Sequence, residues 1–316
     1  MSEVGRVIVL AGGLSFEREV SLRSGRRVLD ALRAVGVEAE LADADSGLLD
    51  ALLADPPAAV FIALHGAAGE DGSVREVLDL AGLRYVGAAA AASRAAWDKP
   101  TAKAAFAAAG LATPAHVALP HATFRELGAA TVLDLLVRRL GLPLMIKPAR
   151  GGSALGATVV TTADQLPAAM VGCFAYGDVA LAESYISGVE VAVSVIDTGD
   201  GPRALPAVEI RPIRGPFDYT ARYTAGMTSY HVPARLDPST TTKATDAAVR
   251  AHVALGLRDL SRTDLIIPAD GTPQVLEVNV APGMTETSLL PMAVTAAGHE
   301  LGTLCRDLLH LAAGRD

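Results

Sequence analysis

Cysteine is nearly absent from the 316-residue sequence: only Cys173 and Cys305 occur, too few for a disulfide framework. No Cys-x-x-Cys pair and no His-Glu-x-x-His motif is present, which removes the common zinc patterns. Positive charge is in short supply, with 27 Lys and Arg against 35 Asp and Glu and a formal net charge of −8. A general nucleic-acid binder carries the opposite balance, so only small local basic sites remain open. Long hydrophobic runs are missing as well. The apolar stretch Val7 to Ala11 leads into Glu17-Arg18-Glu19 and has neither the length nor the cleavage region of a signal peptide. The charge-free stretch Ala104 to Phe124 contains Pro114, His116, Pro120 and His121, which makes a poor membrane helix. These absences point to a protein of a reducing cytoplasm with no membrane or nucleic-acid partner.

Hydrophobic residues make up 51% of the chain and charged residues 20%, enough apolar surface to offset chain entropy on folding. At roughly 100 to 200 residues per domain, the length suits two or three domains. The opening alternates strand and helix. Apolar runs at Arg6 to Ala11, Val37 to Leu41, Ala58 to Leu64 and Arg84 to Val86 are separated by helical patterns near 19–35, 47–53 and 73–81. Such an alternation predicts a parallel α/β layer of about 90 residues. An Ala-rich helical stretch interrupted at Pro100 follows. Beyond it come expected strands near 116–118, 144–147, 157–160 and 179–185, a helix near 164–170, and longer strands at 189–197 and 205–210. The last third reads as a loop over 211–230, a helix from about Ser239 to Leu255, strands at 264–268 and 274–279, and helices starting at Leu289 and Leu301.

Open parallel sheets bind ligands at the carboxyl ends of their strands, and here those ends carry Gly12-Gly13 and His65. Glu17 beyond the first turn suits either an ammonium ligand or a helix start favoured by the macrodipole. The segment Lys147 to Gly156 sets Gly151, Gly152 and Gly156 between two strands, where backbone amides can cover phosphate oxygens or form an ordinary tight turn. It is not a Walker loop, since no Gly-Lys dipeptide occurs, and Ser153 lacks the following glycine of a hydrolase nucleophile elbow. Leu276-Glu277-Val278-Asn279 alternates, so Glu277 and Asn279 share a strand face, with Asp264 placed to stand across from them. Three oxygen donors suit Mg²⁺ bound together with phosphate, or a solvated hairpin face. Arg262, two residues before Asp264, suits a core ion pair or an oxyanion stabiliser. The loop from Phe217 to Tyr230, with Arg222-Tyr223, reads equally as a lid or as surface.

The order of these elements resembles the D-alanine–D-alanine ligases of the ATP-grasp superfamily over nearly the whole chain. The resemblance is carried by Gly12-Gly13-Leu14-Ser15-Phe16-Glu17-Arg18-Glu19-Val20-Ser21-Leu22, Leu64-His65-Gly66 with Gly69-Glu70-Asp71-Gly72, Asp98-Lys99, and Ile146-Lys147-Pro148 with Gly152-Ser153. Its last motif is Leu276-Glu277-Val278-Asn279 with Pro282-Gly283-Met284-Thr285 and Ser288-Leu289. It implies an α/β, three-domain ATP-grasp fold: an N-terminal parallel α/β substrate domain at 1–95, a central subdomain at 96–182, and a C-terminal subdomain at 183–316 with the metal and lid residues.

By the same resemblance, ATP is a substrate and two Mg²⁺ ions, replaceable by Mn²⁺, are held by Asp264, Glu277 and Asn279. Lys99, Lys147, Gly152, Ser153 and Arg222 would serve the phosphates, Glu183, Ser184, Tyr185, Ile186 and Leu276 would border the adenine, and Glu190 would take the ribose hydroxyls. The first amino acid would sit among Glu17, Val20, His65 and Arg262. The second would meet Ser288, Leu289 and Arg222. Glu17, Ser153 and Tyr223 would form a hydrogen-bonded group, and Arg262 with the Gly283 amide would stabilise the tetrahedral intermediate. The implied reaction joins two D-alanines through a D-alanyl phosphate for peptidoglycan precursor, by a cytoplasmic homodimer. Three departures stand out: Arg222 where many of these ligases have Lys, Gly151 in place of an acidic residue, and Leu14 in place of Thr. They motivate a second reading, a ligase that joins D-alanine to another D-amino or hydroxy acid in a resistance or natural-product pathway. A non-catalytic nucleotide-binding regulator is the reading from another class.

Overall fold

The computed structural model describes residues 5–213, 224 and 226–315. Its first sheet is parallel, in the order β2-β1-β3-β4. Strands β1 (Val7–Ala11) and β3 (Ala59–Ile62) are buried at every position, because helices cover both faces of a parallel sheet. Around them run α1 (Arg18–Ala34), β2 (Ala39–Asp43), α2 (Leu48–Ala54), α3 (Ala67–Glu70), α4 (Ser73–Leu80) and β4 (Tyr85–Val86). The Ala-rich stretch forms α5 (Ala90–Trp97) and α6 (Lys99–Ala108). Pro100 does not break α6: it occupies the first turn, and the Asp98 side chain caps the helix by accepting from the Thr101 amide at 3.0 Å.

A second, antiparallel sheet has the order β5-β8-β6-β7, from β5 (His116–Pro120), β6 (Leu144–Pro148), β7 (Thr158–Val160) and β8 (Val179–Ser184). Its helices are α7 (His121–Leu127), α8 (Ala129–Leu140) and α9 (Leu166–Phe174). The third sheet runs β12-β11-β9-β13-β14, with β10 (Arg203–Ala204) on β9. Its other strands are β9 (Val189–Ile196), β11 (Val208–Pro212), β12 (Thr228–His231), β13 (Leu260–Ile267) and β14 (Gln274–Asn279). Helices α10 (Pro238–Ala254), α11 (Leu289–Ala296) and α12 (Leu301–Ala313) complete the chain.

Several expectations need correction. Helices α7 and α8 fill a stretch that the sequence reading left without helices. Strand β13 starts at Leu260 rather than 264, and β12 takes up the end of the expected loop over 211–230. The expected boundaries near 95 and 183 lie within two residues of the ends of α5 and β8. The cores explain how the lobes relate. One hydrophobic cluster joins the first sheet (Val7, Phe61) and α1 (Val28) to α11 and α12 (Leu290, Leu304, Leu308) and to one face of the third sheet (Ile196, Ile210). The second sheet has a separate core around Phe124, Leu136, Ile146 and Met170.

Candidate active site

Two adjoining cavities lie where the three sheets meet. The smaller, of about 80 Å³, is lined by Glu17, Val20, His65 and Glu70 from the first lobe, Ser153 from the second, and Arg262, Asn279, Gly283, Ser288 and Leu289 from the third. The larger, of about 560 Å³, lies between the second and third sheets and is lined by Lys147, Glu183, Ser184, Tyr185, Ile186, Glu190, Asp264 and Leu276. Lys99, Gly151, Gly152 and Glu277 line both.

Glu17 stands at the N-cap of α1, where the macrodipole favours its charge, but it makes no side-chain cap bond. Its carboxylate instead accepts from the Ser153 hydroxyl across 136 residues of sequence. Gly66, in a left-handed conformation with φ +73°, permits this packing: a Cβ there would stand 2.9 Å from a Glu17 carboxylate oxygen. Ser153 and Ala154 are themselves at φ +52° and +57°, a strained turn of the kind found at ligand clamps.

His65 is buried, and both ring nitrogens are engaged: Nδ1 lies 3.1 Å from the Ala281 carbonyl and Nε2 2.9 Å from Ser24 Oγ. A carbonyl only accepts, so Nδ1 carries the proton. Burial, with the Arg262 charge adding to it, pushes the His65 pKa down to about 4 against the Ala281 bond, and the ring is neutral. His65 therefore ties α1 to the turn after β14, instead of offering a free N–H to a substrate carboxylate. Ser24 extends the tie by accepting from the Met284 amide at 3.1 Å.

Strands β13 and β14 pair in a register that sets Asp264 opposite Glu277 and Arg262 opposite Asn279. The expected face is thus formed. Arg262 is buried and its fork holds Asp264 in two bonds of 2.7 and 2.8 Å, so the ion-pair reading holds, and Arg262 also reaches the small chamber. Glu277 pairs with Lys99 at 3.3 Å, and Lys99 donates to the Gly151 carbonyl at 2.6 Å. Asn279 accepts from the Ala281 amide at 2.8 Å. Among the described residues no group of three His, Cys, Asp or Glu is placed to hold a metal. Two carboxylates and an amide oxygen still form the partial, hard donor set that a Mg²⁺ shared with phosphates takes. Ser288 Oγ accepts from the Thr285 amide at 2.9 Å, fixing the turn that presents Gly283; a Cβ on Gly283 would come within 2.7 Å of that oxygen.

Lys147 lies 2.8 Å from Glu183. Burial opposes its charge, but Glu183 and then Glu277 outweigh burial and raise its pKa. The Glu183 carboxylate is enclosed between Lys147 and Lys103, an engagement not anticipated for a residue expected at the adenine. Arg222 and Tyr223 lie outside the described residues. Sequence reasoning missed two groups. Glu70 is a buried chamber carboxyl whose pKa is raised to about 8, by burial first and then by the Glu17 charge; it accepts from the Gly66 amide at 3.0 Å. Its signal was a Glu four residues beyond the strand-end glycine. Lys103, a charged residue between apolar Ala102 and Phe106, sits four residues after Lys99 on α6, and that spacing was the clue.

Two antiparallel sheets clasping a cavity, with a parallel α/β lobe closing a chamber at one end, define an ATP-grasp protein. The family model for the D-ala D-ala ligase C-terminus matches residues 105–310. The D-alanine–D-alanine ligase of Anaeromyxobacter dehalogenans is 42% identical over 309 residues, which covers 98% of this chain and 97% of that one. The crystal structure of D-alanine–D-alanine ligase from Bacillus anthracis superposes with a TM-score of 0.83 at 30% identity, covering 98% of this chain and 97% of its own. A structure of that enzyme complexed with ATP gives 0.81 at 29%, covering 99% and 97%. The VanG D-Ala:D-Ser ligase from Enterococcus faecalis gives 0.81 at 27%, covering 98% of this chain and 99% of that one. The chain belongs to the D-alanine–D-alanine ligase family.

Proposed function

We propose that the protein joins two D-alanines to D-alanyl-D-alanine at the expense of ATP, supplying peptidoglycan precursor. The observation that carries this reading is the shared wall: Lys99, Gly151, Gly152 and Glu277 border both cavities, so a nucleotide in the larger one presents its terminal phosphate to the smaller. The adenine lies along residues 183–186 and Leu276, the ribose at Glu190, and the phosphates at Lys147, Lys99, Gly152 and Ser153. Asp264, Glu277 and Asn279 hold Mg²⁺, two ions with Mn²⁺ able to replace them, and the metal supplies charge neutralisation at the phosphates when bound.

The first D-alanine sets its ammonium toward Glu17 and its carboxylate toward Arg262, beside Val20. A carboxylate oxygen attacks the γ-phosphorus, the bond to the β-phosphate oxygen breaks, and ADP leaves. The second D-alanine, held through Ser288, Leu289 and Arg222, then attacks the acyl carbon with its amine. Arg262 and the Gly283 amide stabilise the tetrahedral oxyanion, which collapses to expel phosphate and lose the amine proton. Glu17, Ser153 and Tyr223 order the substrates. In this reading 1–95 carries first-substrate recognition, 96–182 grips the nucleotide, and 183–316 supplies metal ligands and lid, in a cytoplasmic homodimer. No helix among the described residues is long and apolar enough to cross a membrane.

The likeness to a D-Ala:D-Ser ligase, together with Arg222 and Gly151, supports the second reading, in which the second substrate differs. Phosphate release from Mg²⁺-ATP with D-Ala, D-Ser and D-lactate, alone and in pairs, with products weighed by mass spectrometry, separates the two. Stoichiometric D-Ala-D-Ala supports the first; equal or better turnover to a mixed product supports the second. Nucleotide binding without turnover overturns both in favour of a regulator.

A further inference from the structure

Lys103 has no part in the chemistry above, yet its side chain is wholly enclosed. Its Nζ lies 2.6 Å from Glu183 Oε1 and donates to Thr113 Oγ1 at 2.7 Å. Thr113 in turn donates to the Val275 carbonyl at 2.7 Å, on β14 two residues before Glu277. The other Glu183 oxygen holds Lys147 at 2.8 Å. One carboxylate is therefore shared by two ammonium groups, and the cluster keeps one net positive charge next to the nucleotide cavity. A lone Lys147–Glu183 pair would be neutral there.

We propose that Lys103 is a positioning residue for the nucleotide: it neutralises Glu183, so that the Lys147 charge stays directed at the phosphates, and it braces β8 against β14 through Thr113. This rests on the placement of the phosphates at Lys147. The two lysines differ in how they meet the solvent. Lys147 borders the cavity, whereas Lys103 is behind it, so the effect of Lys103 is on nucleotide affinity and not on the amino acids.

The test is the KM for Mg²⁺-ATP and for D-alanine in Lys103→Met, Lys103→Arg and Lys147→Met. Lys103→Met is expected to raise the ATP KM about tenfold while the KM for D-alanine and kcat move less than twofold. Lys103→Arg should restore most of the ATP affinity. Lys147→Met must itself weaken ATP; if it does not, the phosphate placement is wrong. If Lys147→Met weakens ATP and Lys103→Met does not, only the Lys103 proposal fails. Should Lys103→Met not fold, the dissociation constant of Mg²⁺-ATP with the unaltered protein and with Lys103→Arg decides. Burial first, and then Lys147, lower the Lys103 pKa to about 8 against Glu183 and Glu277. Binding should weaken at least threefold more from pH 7 to pH 9 in the unaltered protein than in Lys103→Arg, whose guanidinium stays charged while Glu70 titrates alike in both, and equal weakening in the two overturns the proposal.

Discussion

The smaller chamber takes most of its walls from α1, the loop after β3 and the turn before α11, parts that share one hydrophobic core, whereas the larger cavity opens between that body and a lobe with its own core. Polar ties follow the same division. His65, Ser24 and the Ala281 and Met284 backbone lock the chamber across first and third lobes. The second lobe reaches that chamber through its glycine loop, by way of Ser153 on Glu17 and Gly151 on Lys99. In the proposed reading, amino-acid recognition is set inside one packed body, and nucleotide recognition by the spacing of two.

The strongest way to break this comparison is to weaken each core separately. Leu136→Ala, in the second-lobe core, should cost about 3 kcal/mol there and speed amide exchange in β5–β8 while leaving β1–β4 protected. Leu308→Ala should do the reverse, loosening β1–β4 and the third sheet together; uniform loosening in both variants would erase the distinction. Within the chamber, Arg262→Lys loses the planar fork that grips Asp264 and meets the oxyanion. A roughly 100-fold fall in kcat at saturating substrates is expected, and an unchanged kcat removes Arg262 from the oxyanion role. On the shared wall, Glu277→Gln should raise the KM for Mg²⁺-ATP about tenfold, with the thermal midpoint little changed. Wild-type use of Mg²⁺-ATP would overturn the metal assignment.

The smallest effect is on acid stability. His65 and His252 are both held well below the ordinary imidazole range, at about 4, chiefly by burial. The unfolded chain binds their protons first, so each contributes stability that is complete above about pH 6.5 and lost as pH falls toward 4. His252 bonds to Ser261 Oγ at 2.8 Å, with the Asp197 charge and the Leu257 backbone opposing the effect of burial, and it lines neither cavity. Between pH 6.5 and 5.5, His252→Gln should lose about 1 kcal/mol less than the parent. Glu70, whose raised pKa acts in the opposite direction, is common to both proteins and cancels. Parallel stability curves would show that His252 already titrates normally.

Much of this was legible in the sequence, and the failures have physical causes. The parallel sheet announced itself because both of its faces are buried, which leaves unbroken apolar runs such as Val7 to Ala11. Helix α8 was not recognised because it begins at Gly128 with no capping side chain, although Val132 and Leu136 keep the helical spacing. The first half of β13 was missed for a functional reason: Ser261, Arg262, Thr263 and Asp264 are polar yet buried, with Ser261 on His252 and Arg262 on Asp264. A strand that buries polar side chains on both faces does not show a period of two. Motif order made Glu17, Lys147 and Glu277 readable. The roles of Glu70 in the chamber wall and of Lys103 behind the larger cavity were not, since burial of a charge is a property of the fold.

The central claim is that a D-alanine carboxylate attacks the terminal phosphate at the wall shared by the two cavities. D-Alanine labelled with ¹⁸O in its carboxylate, turned over with Mg²⁺-ATP, tests it directly by mass spectrometry of the released phosphate. The account predicts one ¹⁸O in the inorganic phosphate for each dipeptide formed, because the oxygen that bridges carbon and phosphorus leaves with the phosphoryl group. Unlabelled phosphate, or label in AMP with release of pyrophosphate, would contradict it.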